Sequence, residues 1–276
     1  MARFDTYSVL MSVYSREKPQ YLRQAIDSMF SQTICTDDFV LVCDGPLTDE
    51  LDAVVEEAGK RCAPGYFRAL RLERNQGLGN ALNAGMNICR NELIARMDSD
   101  DISCADRCER QLRAFAGNPD LDIVSGTVEE FRETEQLVTG RRALPAAHEA
   151  ICRFSRKRNP FNHPAVMFKK SAVEAAGGYD ESYHLFEDYY LWIRMLRNGC
   201  RGENLQETLL YMRISEEMYE RRGGASYGED MKRFHRWMRD VKWASAGDYI
   251  TGVIPHALIC RLPNHVRRAA YTYLHR

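Results

Sequence analysis

The sequence predicts an α/β fold with a mostly parallel central sheet flanked by helices, followed by a helical C-terminal extension. Three observations lead there. Short apolar, β-branched runs alternate with amphipathic helical patterns through about residue 115, the rhythm of βαβ units whose sheet is covered on both faces. The length of 276 residues and the 45% hydrophobic content suit one large α/β domain with an appendage. Aspartates close two of the apolar runs, at Asp44 and Asp98, and open α/β sheets bind ligands beyond the carboxyl ends of their strands.

The elements follow in order. YSVLMSVY (7–14) is a short, continuous apolar run and reads as a buried strand. The segment after it carries Leu22, Ile26, Met29 and Phe30 at helical spacing, with Pro19 at its start. FVLVCDG (39–45) is a second buried strand ending in Asp44 and Gly45, and TDELDAVVEEAGKR is an amphipathic helix capped by Thr48 or Asp49. FRALRLERN is a third strand, LGNALNAGMNICR a helix and NELIARM a fourth strand. The second half is less regular. DIVSGTVEEF (122–131) and ETLLYMRIS read as strands; ALPAAHEAICRFSRK and FEDYYLWIRMLRNG read as helices, the latter stopping at Gly199. HPAVMFKKSAVEAAGGYDE passes from strand to helix. From Gly224 to Ala246, Tyr227, Met231, Phe234, Met238 and Val241 mark one helical face. The expected division is a catalytic domain over 1–222 and a helical extension over 223–276.

Charge and cysteine content narrow the class. With 38 basic against 39 acidic residues, the chain has no general nucleic-acid footprint. The nine cysteines are odd in number, scattered and free of a CxxC, which suits a reducing, cytoplasmic compartment. Cys104 and Cys108 have no matching ligand pair for zinc. The N-terminal apolar run is too short for a signal peptide, and no charge-free stretch reaches membrane-spanning length.

The stretch ARMDSDDIS (95–103) concentrates Asp98, Asp100 and Asp101 directly after an apolar run. One explanation is a helix N-terminus, with Ser99, Asp101 or Ser103 capping CADRCERQLRAF; it leaves Asp98 unexplained. Another is a site for Mg²⁺ or Mn²⁺, which take hard carboxylate oxygens together with substrate phosphates. An EF-hand is excluded by Ile102 and the missing glycine. A third is the DxDx(T/V) nucleophile of haloacid-dehalogenase-type phosphatases, although that family places the motif on its first strand and here it ends the fourth.

Five ordered blocks decide among these. SVLMSVYSRE…YLRQAIDSMFSQT, LVCDG, RNQGLGNALNAGM, ARMDSDD and FEDYYLWIRML resemble, in order and interval, the inverting family 2 glycosyltransferases of GT-A (Rossmann-like) fold. The resemblance covers roughly residues 7–215, with a looser match at EEMYERRGG. It implies a nucleotide-sugar donor, a divalent cation (Mn²⁺ or Mg²⁺) and an acceptor hydroxyl, here of a glycan or lipid-linked glycan in surface polysaccharide, O-antigen or capsule assembly. It assigns Ser12, Tyr14 and Glu17 to the nucleotide pocket, Ser12 replacing the common proline. It makes Asp44 the base-binding aspartate, a natural acceptor for a uracil N3–H. Asp98 and Asp100 take the DxD positions, with Ser99 between them in the nucleotide-sugar site and Asp101 next to them as a metal or ribose contact. The FED block gives Asp188 as catalytic base, with Glu187 beside it on the acceptor side.

Other positions keep two explanations. Asn75, Gly77 and Asn80 meet ribose or phosphate, or simply turn and cap a helix. His163 approaches the acceptor or is structural. Arg221 and Arg222 close over a diphosphate, hinged at Gly223 and Gly224, or form a solvated turn. In the tail VIPHALICRLPNHVRRAAYTYLHR no acid follows Asp248, while Arg261, Arg267, Arg268 and Arg276 alternate with apolar residues. That pattern suits an anionic membrane surface at the inner face of the cell membrane, or a helix packed on its own domain. The competing functions are a nucleotidyltransferase on a related fold, for which residues 12–20 lack a glycine- and lysine-rich phosphate loop, and a non-catalytic nucleotide-binding protein.

Overall fold

The computed structural model describes residues 5–183, 185–214 and 225–254; Arg221, Arg222 and the tail beyond residue 254 lie outside them. The first half alternates strand and helix: β1 (Tyr7–Val13), α1 (Pro19–Phe30), β2 (Asp38–Cys43), α2 (Asp49–Lys60), β3 (Phe67–Arg71), α3 (Leu78–Ile88) and β4 (Leu93–Asp98). The helix starts follow local chemistry. Pro19 opens α1, and the Thr48 side chain caps α2 by accepting from the Leu51 N–H, with Asp49, Glu50 and Asp52 in the first turn. Strands β3, β2, β1 and β4 are neighbours in that order and all parallel, so their carboxyl ends share one edge.

The period-2 alternation of β1 divides the core. Val9 and Met11 pack with Leu22 and Ile26 of α1, Val54 of α2 and, further along the chain, Leu112. Leu10 packs on the other face with Leu82, Phe168 and Trp192. Helix α3 lies close against that face because Gly85 has no side chain; a Cβ there would come within 2.5 Å of Leu10 and Val42.

Beyond β4 the sheet becomes mixed. The elements are β5 (Ile102–Ser103), α4 (Arg107–Gly117), β6 (Leu121–Phe131), β7 (Val138–Arg142), α5 (His148–Phe154), β8 (Met167–Lys169), α6 (Lys170–Ala175), α7 (Glu187–Arg197), β9 (Arg201–Arg213) and α8 (Ala225–Asp240). Strand β8 runs antiparallel between β4 and β6, and β9 runs parallel to β6. The sheet is thus purely parallel only across β3, β2, β1 and β4; beyond β4 parallel and antiparallel pairs mix. Helix α5 is shorter than the periodicity of 143–157 predicts, because residues 143–147, which include Pro145, stay extended ahead of it.

The expected face of α8 packs on α7. Met231, Phe234 and Met238 are buried with Tyr189 and Ile193, and Tyr227 stacks on Phe186 at 5.1 Å. The eight described cysteines are all free, and no described helix is long and apolar enough to cross a membrane.

Candidate active site

The acidic cluster lies at the carboxyl edge of the parallel strands. Asp98 is the last residue of β4 and pairs in register with Ser12 of β1. Each of Asp98, Asp100 and Asp101 offers a carboxylate oxygen, and these oxygens lie within 4.8 Å of one another. None of them caps α4, so the capping explanation falls away. The helix begins at Arg107 after Asp106, which makes no side-chain cap bond, and Ser103 belongs to β5. The Asp101 carboxylate accepts instead from the backbone N–H of Arg213 at 2.8 Å, closing the end of β9 onto the cluster.

Arg213 holds the loop from a second side. Its Nε donates to the Asp100 carbonyl at 2.9 Å and its Nη2 to Gln24 at 2.8 Å, while its guanidinium lies 3.8 Å from the Tyr21 ring centroid. Beneath the cluster, Arg107 is fully buried and donates to the Arg96 carbonyl at 2.6 Å, and Gln111 binds the carbonyls of Val124 and Ala165. These bonds fix the strand end that presents the acids.

The electrostatics of the cluster suit a divalent cation. Burial and the repulsion of neighbouring aspartates raise the pKa of Asp100 and of Asp101 above the ordinary carboxylate range. Asp101 Oδ2 is buried without a hydrogen-bond partner. Arg96, only 1% exposed, pairs with Asp98 through Nη2, yet its Nε and Nη1 are unpartnered. Three clustered hard oxygen donors, one of them orphaned, fit a divalent cation.

Of the expected nucleotide-site residues, Ser12, Glu17 and Ser99 adjoin the cluster. The Glu17 carboxylate accepts from the Ser99 hydroxyl at 2.7 Å and from the Lys18 N–H at 2.8 Å. Tyr14 is exposed just beyond β1. Asp44 follows β2 and is buried; its two oxygens accept from the N–H groups of Gln76, at 2.7 Å, and Gly77, at 3.1 Å. Asn75 donates to the Asp44 carbonyl at 3.2 Å, and Asn80 donates to the Gln76 carbonyl at 2.9 Å. Asp44 therefore organises the 75–77 turn, which needs the left-handed φ of +87° at Gly77.

Across the edge, α7 begins with Glu187 and Asp188. Asp188 accepts from the Asn159 side chain at 2.7 Å. Burial, and then the adjacent Asp188 charge, push the Glu187 carboxyl up to about 7. Leu185, two residues before the helix, has a left-handed φ of +63°, an uncommon conformation for a leucine. His163 and the buried Tyr179 hydroxyl lie 2.9 Å apart, and burial followed by the Arg96 charge holds the imidazole well below its usual pKa. The Tyr179 hydroxyl feels the charges of Arg96, Asp188, Asp98 and Glu187, so acids from β4 and α7 surround one space.

Several of these participants escaped the sequence reading: Arg96, Arg213, Asn159 and Tyr179. The one signal available for Arg96 was a lone charge in the otherwise apolar strand LIARM.

A parallel β–α–β half-sheet carrying acids at its carboxyl edge, extended by an inserted antiparallel strand, is the fold of the GT-A glycosyltransferases. It is shared with the mannosyltransferase PcManGT from Pyrobaculum calidifontis, solved in complex with GDP-Man and Mn²⁺ (TM-score 0.65, 13% identity, covering 99% of this chain and 81% of that one). It is shared too with S. aureus TarS 1-349, solved with UDP-GlcNAc (TM-score 0.60, 18% identity, 82% of this chain and 64% of that one). The chain belongs to glycosyl transferase family 2, whose model matches residues 8–174, and it is a glycosyltransferase. It is similar to the UDP-Gal:alpha-D-GlcNAc-diphosphoundecaprenol beta-1,3-galactosyltransferase of Escherichia coli, with 37% identity over 266 residues covering 96% of this chain and 94% of the relative. It is also similar to the amylovoran biosynthesis glycosyltransferase AmsE of Erwinia amylovora, with 37% identity over 233 residues covering 83% and 84%.

Proposed function

We propose that this enzyme transfers a hexosyl unit, with inversion, from a UDP-sugar to a hydroxyl of a lipid-linked glycan during surface polysaccharide assembly. The UDP donor and the lipid-diphosphate acceptor are those in the name of the Escherichia coli relative that matches nearly the whole chain. The observation that carries the site reading is the carboxylate triad at the strand edge, with its orphaned Asp101 oxygen. Asp98, Asp100 and Asp101 would hold a Mn²⁺ or Mg²⁺ ion, which when bound supplies Lewis-acid neutralisation of the departing diphosphate.

The chain's own residues do the rest. Asp44 and the 75–77 turn, with Ser12, Tyr14, Glu17 and Ser99, form the nucleotide side, and Asn80 stands at its rim. Asp188 accepts the proton of the acceptor hydroxyl as that oxygen bonds to the anomeric carbon and the bond to the diphosphate breaks. Asn159 fixes the Asp188 carboxylate. Glu187 and His163 belong to the acceptor side, where the neutral imidazole and the Tyr179 hydroxyl offer polar contacts without charge. Arg221 and Arg222, outside the described residues, are proposed to cover the diphosphate, and the basic tail to meet the inner face of the membrane. The division into a catalytic domain over 1–222 and an extension over 223–276 belongs to the same proposal.

The experiment is Asp188→Asn. The amide keeps an oxygen for Asn159 but cannot accept the proton. Transfer should fall about 10²- to 10⁴-fold, while the donor dissociation constant, read by calorimetry, stays near that of the parent. Near-normal turnover would remove Asp188 from the role of base.

A further inference from the structure

Outside the crevice, a cluster of basic side chains is built where α5 ends. Arg153, Arg156, Lys157 and Arg158 are all exposed. Of these four, only Lys157 has an ion-pair partner among the described residues, Asp248 at 3.6 Å. The segment after α8 packs against this stretch. The Trp243 indole donates to the Ser155 hydroxyl at 3.0 Å, and a Cβ on Gly252 would lie 3.0 Å from the Lys157 side chain. The last turn of α8 and the residues after it add two further exposed cations, Arg239, whose guanidinium lies 5.6 Å from the Tyr249 ring centroid, and Lys242. The segment after α8 also exposes two large apolar side chains one helical turn apart, Ile250 (59%) and Ile254 (39%).

Exposed cations, all but Lys157 without an ion-pair partner among the described residues, beside protruding isoleucines match the chemistry of an anionic lipid surface, where headgroups meet the charges and acyl chains receive the apolar side chains. The face is rigidly backed. Ser155 is buried, and its carbonyl accepts from the Tyr189 hydroxyl at 2.6 Å. One node thus joins α5, α7 and the segment after α8. Tyr189 follows Asp188, and Asn159, which binds Asp188, follows Arg158.

We infer that this face of the folded domain, formed by the end of α5 and residues 239–254, docks on anionic phospholipid headgroups and turns the Asp188 side of the crevice toward the bilayer. The inference rests on this surface and not on the identity of the donor or acceptor.

The test is vesicle co-sedimentation of the full chain, using phosphatidylcholine vesicles with and without phosphatidylglycerol. Two variants accompany the parent: Arg153→Gln/Arg156→Gln/Arg158→Gln and Ile250→Ser/Ile254→Ser. All five positions are exposed, so both variants should melt with the parent. The parent should bind only vesicles containing phosphatidylglycerol. Each lost basic charge should weaken partitioning about fivefold, or roughly a hundredfold for the triple variant, and the isoleucine variant should bind more weakly than the parent. Absence of binding by the parent, or equal binding by both variants and the parent, overturns the inference. A parallel titration with inorganic pyrophosphate in EDTA separates the other phosphate source: saturable binding by the parent that the triple variant loses would make the face a soluble-diphosphate site and overturn the membrane reading.

Discussion

Glu187→Gln should remove a pH dependence of folding that the half-buried acid imposes. The Glu187 carboxyl titrates at about 7 in the folded chain against 4.5 as a free side chain, chiefly through burial and then through Asp188. A raised carboxyl pKa means that the native state holds the proton more tightly than the unfolded state. The associated stability is complete below about pH 4.5 and is lost as pH rises through about 7. At about 1.4 kcal/mol per pH unit that interval amounts to roughly 3 kcal/mol, an upper bound for a half-buried side chain. Glutamine keeps the volume and carries no charge. The variant should therefore unfold at a higher urea concentration than the parent above about pH 8 and lose that advantage near about pH 4.5. Urea midpoints for the two proteins across this range are the assay. Parallel curves, with the same offset at both ends, would refute the assignment of a neutral, half-buried Glu187.

Two further outcomes follow from the site. Arg96→Met should leave a folded protein, because two of the three guanidinium nitrogens have no partner to lose. Loss of the anchor on Asp98 should still slow transfer about a hundredfold, as read by turnover alongside circular dichroism. Gly45→Ala should raise the donor KM and lower the melting temperature: φ is +86° there, and a Cβ would lie 2.6 Å from the Asn75 nitrogen. The left-handed conformation alone costs about 1–2 kcal/mol, and the displaced turn is the one that Asp44 binds.

The parts visible in the sequence are those with local causes. The buried runs that became β1, β2 and β4, the Pro19 and Thr48 starts, and the placing of Asp44 and Asp98 at strand ends all follow from period and caps. The role proposed for Asp188 comes only from the FED block, since two acids at a helix start say nothing by themselves. What stayed hidden depends on partners far along the chain. Strand β8 between β4 and β6 joins residues more than seventy positions apart. The first part of β9, RGENLQ, is too polar to read as a strand and is held by pairing with β6. Edge strand β7, with Val138 exposed, carries no burial pattern. Asp101 reads as a helix cap until Arg213, 112 positions later, takes its oxygen. Arg96 looks like a solvent-facing charge in the sequence, yet it is buried at the strand end, where Arg107 donates to its carbonyl.

The proposed function rests on a cation-dependent nucleotide-sugar site at Asp98, Asp100 and Asp101. Its most direct test is a thermal-shift panel of nucleotide sugars with Mn²⁺ and with EDTA, run on the parent and on Asp98→Ala/Asp100→Ala. The prediction is that one UDP-sugar stabilises the parent only when Mn²⁺ is present, by about 2.7 kcal/mol at a hundredfold excess over its dissociation constant, and does nothing to the double variant. Equal stabilisation in EDTA, or an undiminished shift in the double variant, would contradict it.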